Sequence, residues 1–300
     1  MFFKKIQRDD EFSEKYKEII ASLGFSHKDD IKSRDKLRDL LKKHKRYSFD
    51  HQLSSLGSLI NHYQYFLVVA GGPDAEKFVQ MISEITISPH FNRDNLFIIA
   101  VDGATELLAQ YCIIPHLIIT DLDGLQEKTA LNSQYDNTYF VIHAHGDNQE
   151  KISEFEFVIS TKKVIGTTQT TSKIPVINTG GFTDGDRALY FLEHFLNPTT
   201  TLFLIGYDFG SSIGKFSKPE LTDNTLASSL KIKKLHYGAQ LTRDFCRRTN
   251  STIVFLEYEY EFTLKSELED IDNCRFSRIE KETGIWGNIP KNLLSRQRKS

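Results

Sequence analysis

Two kinds of apolar spacing divide this chain. Up to residue 63 the apolar positions recur at helical intervals, as in Ile19, Ile20 and Leu23 and again in Leu37, Leu40 and Leu41. That spacing predicts two or three helices and no strand. The run DDIKSRDKLRDLLKKHKR mixes both signs of charge, which reads as a solvated helix face rather than a binding patch. From Tyr65 the apolar residues come instead in short continuous runs, each closing on small or polar positions. FLVVA precedes GGPDAE, LFIIA precedes VDGAT, and HLIIT precedes DLDG. YFVIH before AHGDN, VIGTTQT, PVINTGGFTDGD, and TLFLIG before YDFG continue the series. Continuous apolar strands separated by helical stretches indicate a largely parallel sheet buried on both faces. Helices are expected at 74–83, 104–111 and 184–195 and along 226–249, with TIVFLEY as a last strand.

The expected fold is therefore α/β: a Rossmann-like three-layer αβα domain with a largely parallel sheet, plus an N-terminal helical segment. The boundaries fall at 1–63 for the helical segment, 64–260 for the sheet domain and 261–300 for a C-terminal extension. The extension shows weak periodicity, contains Trp286 and ends in SRQRKS, whose tip is expected to be disordered.

Composition narrows the function. A hydrophobic fraction of 39%, a charged fraction of 26% and a net charge of -2 describe an ordinary soluble protein without the basic field that drives nucleic-acid binding. No apolar run approaches the roughly 20 residues a membrane span requires. The start, MFFKKIQRDDEF, carries no secretory apolar core. Cys112, Cys246 and Cys274 are dispersed, with no CxxC pair, and are expected to be packing residues in a reducing cytoplasm.

In a parallel sheet, ligands bind at loops leaving the carboxyl ends of strands, so those loops hold the candidate chemistry. They combine glycine, which permits close backbone approach, with carboxylates suited to cations. In TDLDG, Asp121 and Asp123 face the same way if strand alternation persists past Thr120, with Leu122 pointing inward. Two such like charges need a cation between them, and Mg²⁺ suits oxygen ligands accompanied by substrate phosphates. Asp102, in VDGAT with Gly103, either caps the next helix or joins the site. In HAHGDN, His143 is read as packing, His145 as a hydrogen-bonding partner for substrate or phosphate, and Asp147 as a further metal or water ligand. Gly146 and Asn148 mark an exposed turn there. Gly71 and Gly72 in GGPDAE place backbone amides at a helix start, where a phosphate can sit, although neither GxGxxG nor GxxxxGK[ST] is present. Among the lysines of GYDFGSSIGKFSKP and SLKIKKL, Lys218 and Lys231 are the candidates for binding a triphosphate.

Taken in order, GGP at 71–73, VDGAT at 101–105, TDLDG at 120–124, HAHGDN at 143–148, TTQT at 167–170, NTGGFTDGDRA at 178–188, IGYDFG at 205–210 and KIKKL resemble one family. It is the archaeal 6-hydroxymethyl-7,8-dihydropterin pyrophosphokinase family, related to thiamin pyrophosphokinases, and the likeness runs from about Phe66 to Tyr258. Gly124 stands where thiamin pyrophosphokinases have serine, and a counterpart of their C-terminal β-sandwich is not expected in the residues after Tyr260. The resemblance implies Mg²⁺-assisted transfer of diphosphate from ATP to the pterin's hydroxymethyl group, with AMP leaving. It implies that Asp102, Asp121, Asp123 and Asp147 hold Mg²⁺, that Gly71, Gly72, Asp102, Gly103, His145, Asn148 and Lys231 serve ATP, and that Lys218 assists catalysis. Gly180, Gly181 and Asp184 would line the acceptor pocket, with Thr167 and Gln169 as further members. The expected partners are small molecules, ATP and a pterin alcohol, with a homodimer allowed but neither nucleic acid nor membrane. Three alternatives stay open: another alcohol such as thiamin as acceptor, a glycosyltransferase-like protein using Asp121 and Asp123 on a nucleotide sugar, and a nucleotide-binding protein without catalysis.

Overall fold

A computed structural model describes residues 7–44, 47–86, 95–258, 260, 262–263 and 265–278; Trp286 and the basic terminus lie outside the described residues. Among the described residues three helices come first: α1 (Asp9–Leu23), α2 (His27–Lys43) and α3 (Phe49–Ile60). Each buries one stripe at helical spacing: Phe12, Tyr16 and Ile19 on α1, Leu37 and Leu41 on α2, and Phe49, Leu53, Leu56 and Ile60 on α3. Their ends follow capping chemistry. Ser26 and Ser48 accept hydrogen bonds from Asp29 N and His51 N, and Gly24 closes α1 at φ 70°. The charged α2 departs from the solvated face expected of it: Asp30, Ser33 and Arg34 are buried along with its leucines.

Strands and helices then alternate: β1 (Tyr65–Val69), α4 (Ala75–Thr86), β2 (Leu96–Val101), α5 (Ala104–Gln110), β3 (Leu117–Thr120), α6 (Glu127–Leu131) and β4 (Tyr139–Ala144). Next come α7 (Gln149–Glu154), α8 (Glu156–Thr161), β5 (Lys163–Thr168), β6 (Val176–Ile177), α9 (Asp184–Leu192) and β7 (Thr201–Ile205). A small antiparallel pair, β8 (Ser212–Ile213) with β9 (Thr225–Leu226), precedes α10 (Ser229–Arg248) and β10 (Thr252–Glu257). A short α11 (Lys265–Leu268) and an edge strand β11 (Cys274–Arg278) complete the described chain. The small pair and β11 were not legible in the sequence.

Among the described residues nine strands form one sheet in the order β11-β10-β7-β1-β2-β3-β4-β5-β6, every pairing parallel. All residues of β1, β3 and β4 are buried, as a sheet covered on both faces requires. One face packs Phe12, Phe49 and Phe191 with Phe66 and Phe97; the other packs Phe78, Leu107 and Ile152 with Leu67 and Phe140. The chain runs outward from β1 to β6, then returns to place β7 on the other side of β1. That reversal makes the gap between β1 and β7 the switch point, where loops diverge and a crevice opens. Among the described residues no helix is long and apolar enough to cross a membrane. Cys246 and Cys274 are buried as expected, whereas Cys112 is exposed, on a turn with φ 53°.

Candidate active site

The carboxyl ends of β2 and β3 set two acids side by side. Asp102 follows β2 with φ 48°, a left-handed conformation uncommon outside glycine, asparagine and aspartate. It does not cap α5; Oδ1 turns across to the next loop and accepts from Thr120 Oγ1 at 2.7 Å and Gly124 N at 3.1 Å. Gly124 must be glycine, because a Cβ there would lie 2.2 Å from Asp102 Oδ2. After Thr120 strand alternation stops. Leu122 turns to φ 76° and buries completely, while Asp123 N donates to Asp121 Oδ1 at 3.0 Å. Asp121 stays inward and Asp123 is left exposed at the rim, so the two do not share one face as the sequence pattern suggested.

The third acid arrives from α9. Its start is fixed by a capping box in which Asp186 accepts from Thr183 N at 2.9 Å and also from Phe182 N. This places Asp184 so that Asp102, Asp121 and Asp184 offer oxygens all within 4.8 Å of one another. Asp184, expected in the acceptor pocket, thus joins the acidic group, while Asp147 is exposed on its own turn. Arg187, 2% exposed, donates to Asp184 Oδ1 at 2.7 Å and to Phe182 O at 2.6 Å. Gly180 and Gly181, at φ 80° and 86°, make room for this: Cβ atoms there would strike Tyr190 and the Arg187 backbone. The two glycines thus form the wall behind Asp184.

Charge is distributed unequally over the three acids. Burial, then the charges of Asp121 and Asp184, push the Asp102 carboxyl well above the usual range. Asp184 is raised to about 6 by burial and Asp121, against the pull of Arg187. At Asp121 burial works the same way, but the hydrogen bond and charge of His145 outweigh it and hold the carboxyl below its ordinary value. His145 Nε2–H donates to Asp121 Oδ2 at 3.0 Å, and the imidazole is raised in return despite its burial. His143 is buried, with its Nδ1 3.2 Å from Thr167 Oγ1; burial, then Arg187, push it well below the usual histidine value. Asn148 is a brace rather than an exposed turn residue: it is 3% exposed, and its Nδ2 donates to Asp121 O at 3.0 Å and His143 O at 2.7 Å. Thr167 and Gln169 are likewise interior, at 0% and 4% exposure.

Among the described residues, two cavities flank the acids. One, of about 120 Å³, fills the switch-point crevice between Gly71, Gly72, Gly206, Tyr207, Asp208 and Lys231. Its floor is close-packed backbone: a Cβ on Gly72 would lie 2.4 Å from Asp208 Oδ1 and 2.5 Å from Gly206 O. The other, of about 570 Å³, opens beyond Gly103 and Gly124 and is lined by Lys128, Lys215 and Lys218. Gly103 separates it from the acids, passing so near Phe216 that a Cβ would lie 1.8 Å from its carbonyl oxygen. Lys218 lends positive charge to Asp123, and Lys231 to Asp184. Lys234, whose ammonium is 4.9 Å above the Phe25 ring, is depressed by burial and by Lys231. Asp186 and Lys234 belong to the loop and lysine sets that the sequence marks, whereas Arg187 and Asp208 are site residues that sequence spacing did not single out.

A parallel α/β sheet with a cluster of carboxylates and lysine-lined cavities at its carboxyl edge defines the class of phosphate-handling α/β enzymes. Within it, the family model for MptE-like 6-hydroxymethylpterin diphosphokinases matches residues 39–214, more than half of the chain. The chain is 34% identical over 226 residues to the 6-hydroxymethyl-7,8-dihydropterin pyrophosphokinase of Pyrococcus furiosus, covering 75% of this chain and 89% of that protein. A protein of the same name from Methanocaldococcus jannaschii is 34% identical over 237 residues, covering 75% and 90%. One from Methanothermobacter thermautotrophicus is 29% identical over 228 residues, covering 75% and 90%. The chain belongs to the MptE-like 6-hydroxymethylpterin diphosphokinase family.

Proposed function

We propose that this protein transfers the terminal diphosphate of ATP to the hydroxymethyl group of 6-hydroxymethyl-7,8-dihydropterin. The acceptor oxygen forms a bond to the β-phosphorus, the bond from that phosphorus to the α–β bridging oxygen breaks, the hydroxyl proton is lost and AMP departs. The observation that carries the reading is the convergence of Asp102, Asp121 and Asp184 at a sheet edge bordered by glycine backbone and lysines. Family membership supplies the acceptor.

The donor set fits Mg²⁺. Three hard oxygens lie within 4.8 Å, and two of the carboxyls resist ionising beside the third. Asp102, Asp121 and Asp184 would hold the ion, with Asp123 and Asp147 reaching from the rim; bound there, it neutralises phosphate charge. His145 keeps Asp121 ionised and oriented. Arg187 fixes Asp184, and Lys218 and Lys231 offer positive charge to the phosphates from the two cavities. Positioning and charge neutralisation suffice for such a transfer, so no dedicated base is invoked. The free cysteines suit a cytoplasmic setting.

Purified protein given ATP, Mg²⁺ and the pterin alcohol is expected to form AMP and pterin diphosphate in equal amounts. ADP as product, or no AMP above background, overturns the proposal. Thiamin offered in place of the pterin tests acceptor identity, and is expected to give no product.

A further inference from the structure

The buried face of α2 ends on the loop that carries His145. Asp30, 1% exposed, accepts from the backbone N–H of Gly146, from Tyr16 OH, and from Gln169 Nε2 at 3.0 and 3.1 Å. One turn on, Ser33, 0% exposed, donates from Oγ to Gly146 O at 2.9 Å. One helix therefore grips both polar backbone groups of Gly146, which sits at φ 33°. The residue before it, His145, donates to Asp121; Asn148, two residues after it, donates to the Asp121 carbonyl. Anchoring alone does not account for this arrangement. Leu37 and Leu41 already fasten α2 to the sheet, and a buried carboxylate is a costly substitute for an apolar contact.

On the functional reading given above, we infer that Asp30 and Ser33 are positioning residues of the active site, setting the 145–148 loop so that His145 and Asn148 orient Asp121. Both residues precede the 39–214 stretch that the family model matches. The N-terminal helices thereby acquire a part in the reaction, acting through the loop without touching substrate.

The test compares Asp30→Asn, Ser33→Ala, His145→Gln and Asp30→Asn/His145→Gln in the full chain by AMP release and by amide hydrogen exchange. Asp30→Asn is expected to lower kcat about 10- to 100-fold, in the range a misplacement near 1 Å produces, with KM for ATP changed less than about 3-fold. Ser33→Ala, which keeps the buried charge paired and guards against a folding defect in the first variant, is expected to lower kcat about 3- to 10-fold. The double variant is expected to lose less than the product of the two single losses, because Asp30 acts in part through His145. Exchange should quicken across 145–148 in both α2 variants while β1 and β4 keep wild-type protection. Unchanged exchange in the loop, wild-type kcat in both α2 variants, or fully additive losses overturn the inference. A wild-type protein that makes no AMP counts against the functional reading alone, since loop exchange still reports whether α2 sets the loop.

Discussion

Along one sheet edge, the loops after β1 and β7 and those after β4 and β5 meet opposite fates. After β1 and β7 the chain is glycine-rich backbone around open space, with Asp208 and Lys231 at its margin. After β4 and β5 the equivalent space is filled by the protein itself: His143, Thr167 and Gln169 are buried, and α2 closes over them with Asp30, Ser33 and Arg34. The acids from β2 and β3 lie between the two. A parallel sheet supplies polar strand ends all along its edge, and whatever fills the space above them decides which ends meet ligand. Here the open flank offers room and charge, and the filled flank offers rigidity.

Four experiments break or sharpen that contrast. The largest effect is expected at its centre. Asp121→Asn removes the one acid held ionised by a histidine, and should lower kcat by about 10³-fold or more with an unchanged circular dichroism spectrum. Asp123→Asn, at the exposed rim, should lose distinctly less; equal losses in a turnover assay would dissolve the distinction between the inner group and the rim. Next, Gly103→Ala forces a methyl against the Phe216 carbonyl on the open flank, and should raise KM for ATP about 10-fold or more. Its counterpart on the filled flank is Gly166→Ala in β5, whose Cβ would lie 2.9 Å from Leu41 and 3.0 Å from Val176. Overpacking there should cost about 1–3 kcal/mol, visible as a Tm several degrees lower, with kcat and KM nearly those of wild type. If Gly103→Ala leaves KM for ATP unchanged, or Gly166→Ala lowers activity as much as Gly103→Ala, the contrast fails.

The smallest effect is a pH dependence. Burial raises Asp208 to about 6, and its Oδ1 has no hydrogen-bond partner among the described residues. A carboxyl raised in the folded state binds its proton more tightly there than in the unfolded chain. Its stabilising contribution is thus complete below its ordinary value near 3.8 and is lost as pH rises through about 6. The Tm of wild type minus that of Asp208→Asn should therefore fall between pH 4 and pH 7, by at most the equivalent of roughly 2–3 kcal/mol. A flat difference would show that ionised Asp208 is satisfied in the crevice.

The sheet and the acids nearest its strands were legible because each apolar run of four to six residues closes on its own polar loop. Asp102 and Asp121 follow such runs directly. Asp184 was assigned elsewhere because its approach depends on how α9 crosses the sheet, and nothing local encodes that. Arg187 was overlooked because its burial follows from the left-handed turn at Gly180 and Gly181. The charged face of α2 misled for a similar reason: mixed signs at helical spacing look solvated, yet Asp30 and Arg34 are satisfied by the loop at Gly146 and the carbonyl of Thr171. The strand β11 escaped notice because CRFSR alternates too briefly to stand out.

The placement of β7 beside β1 also governs how the chain is made. Residues 65 to 177 add strands in one direction as they leave the ribosome, so β1 keeps a bare hydrogen-bonding edge until residue 201 and beyond are available. That edge belongs to Tyr65–Val69, five apolar or aromatic residues without a gatekeeping charge. A fragment truncated before β7 would keep that edge unpaired and lack the β7 side of the crevice, and is expected to self-associate.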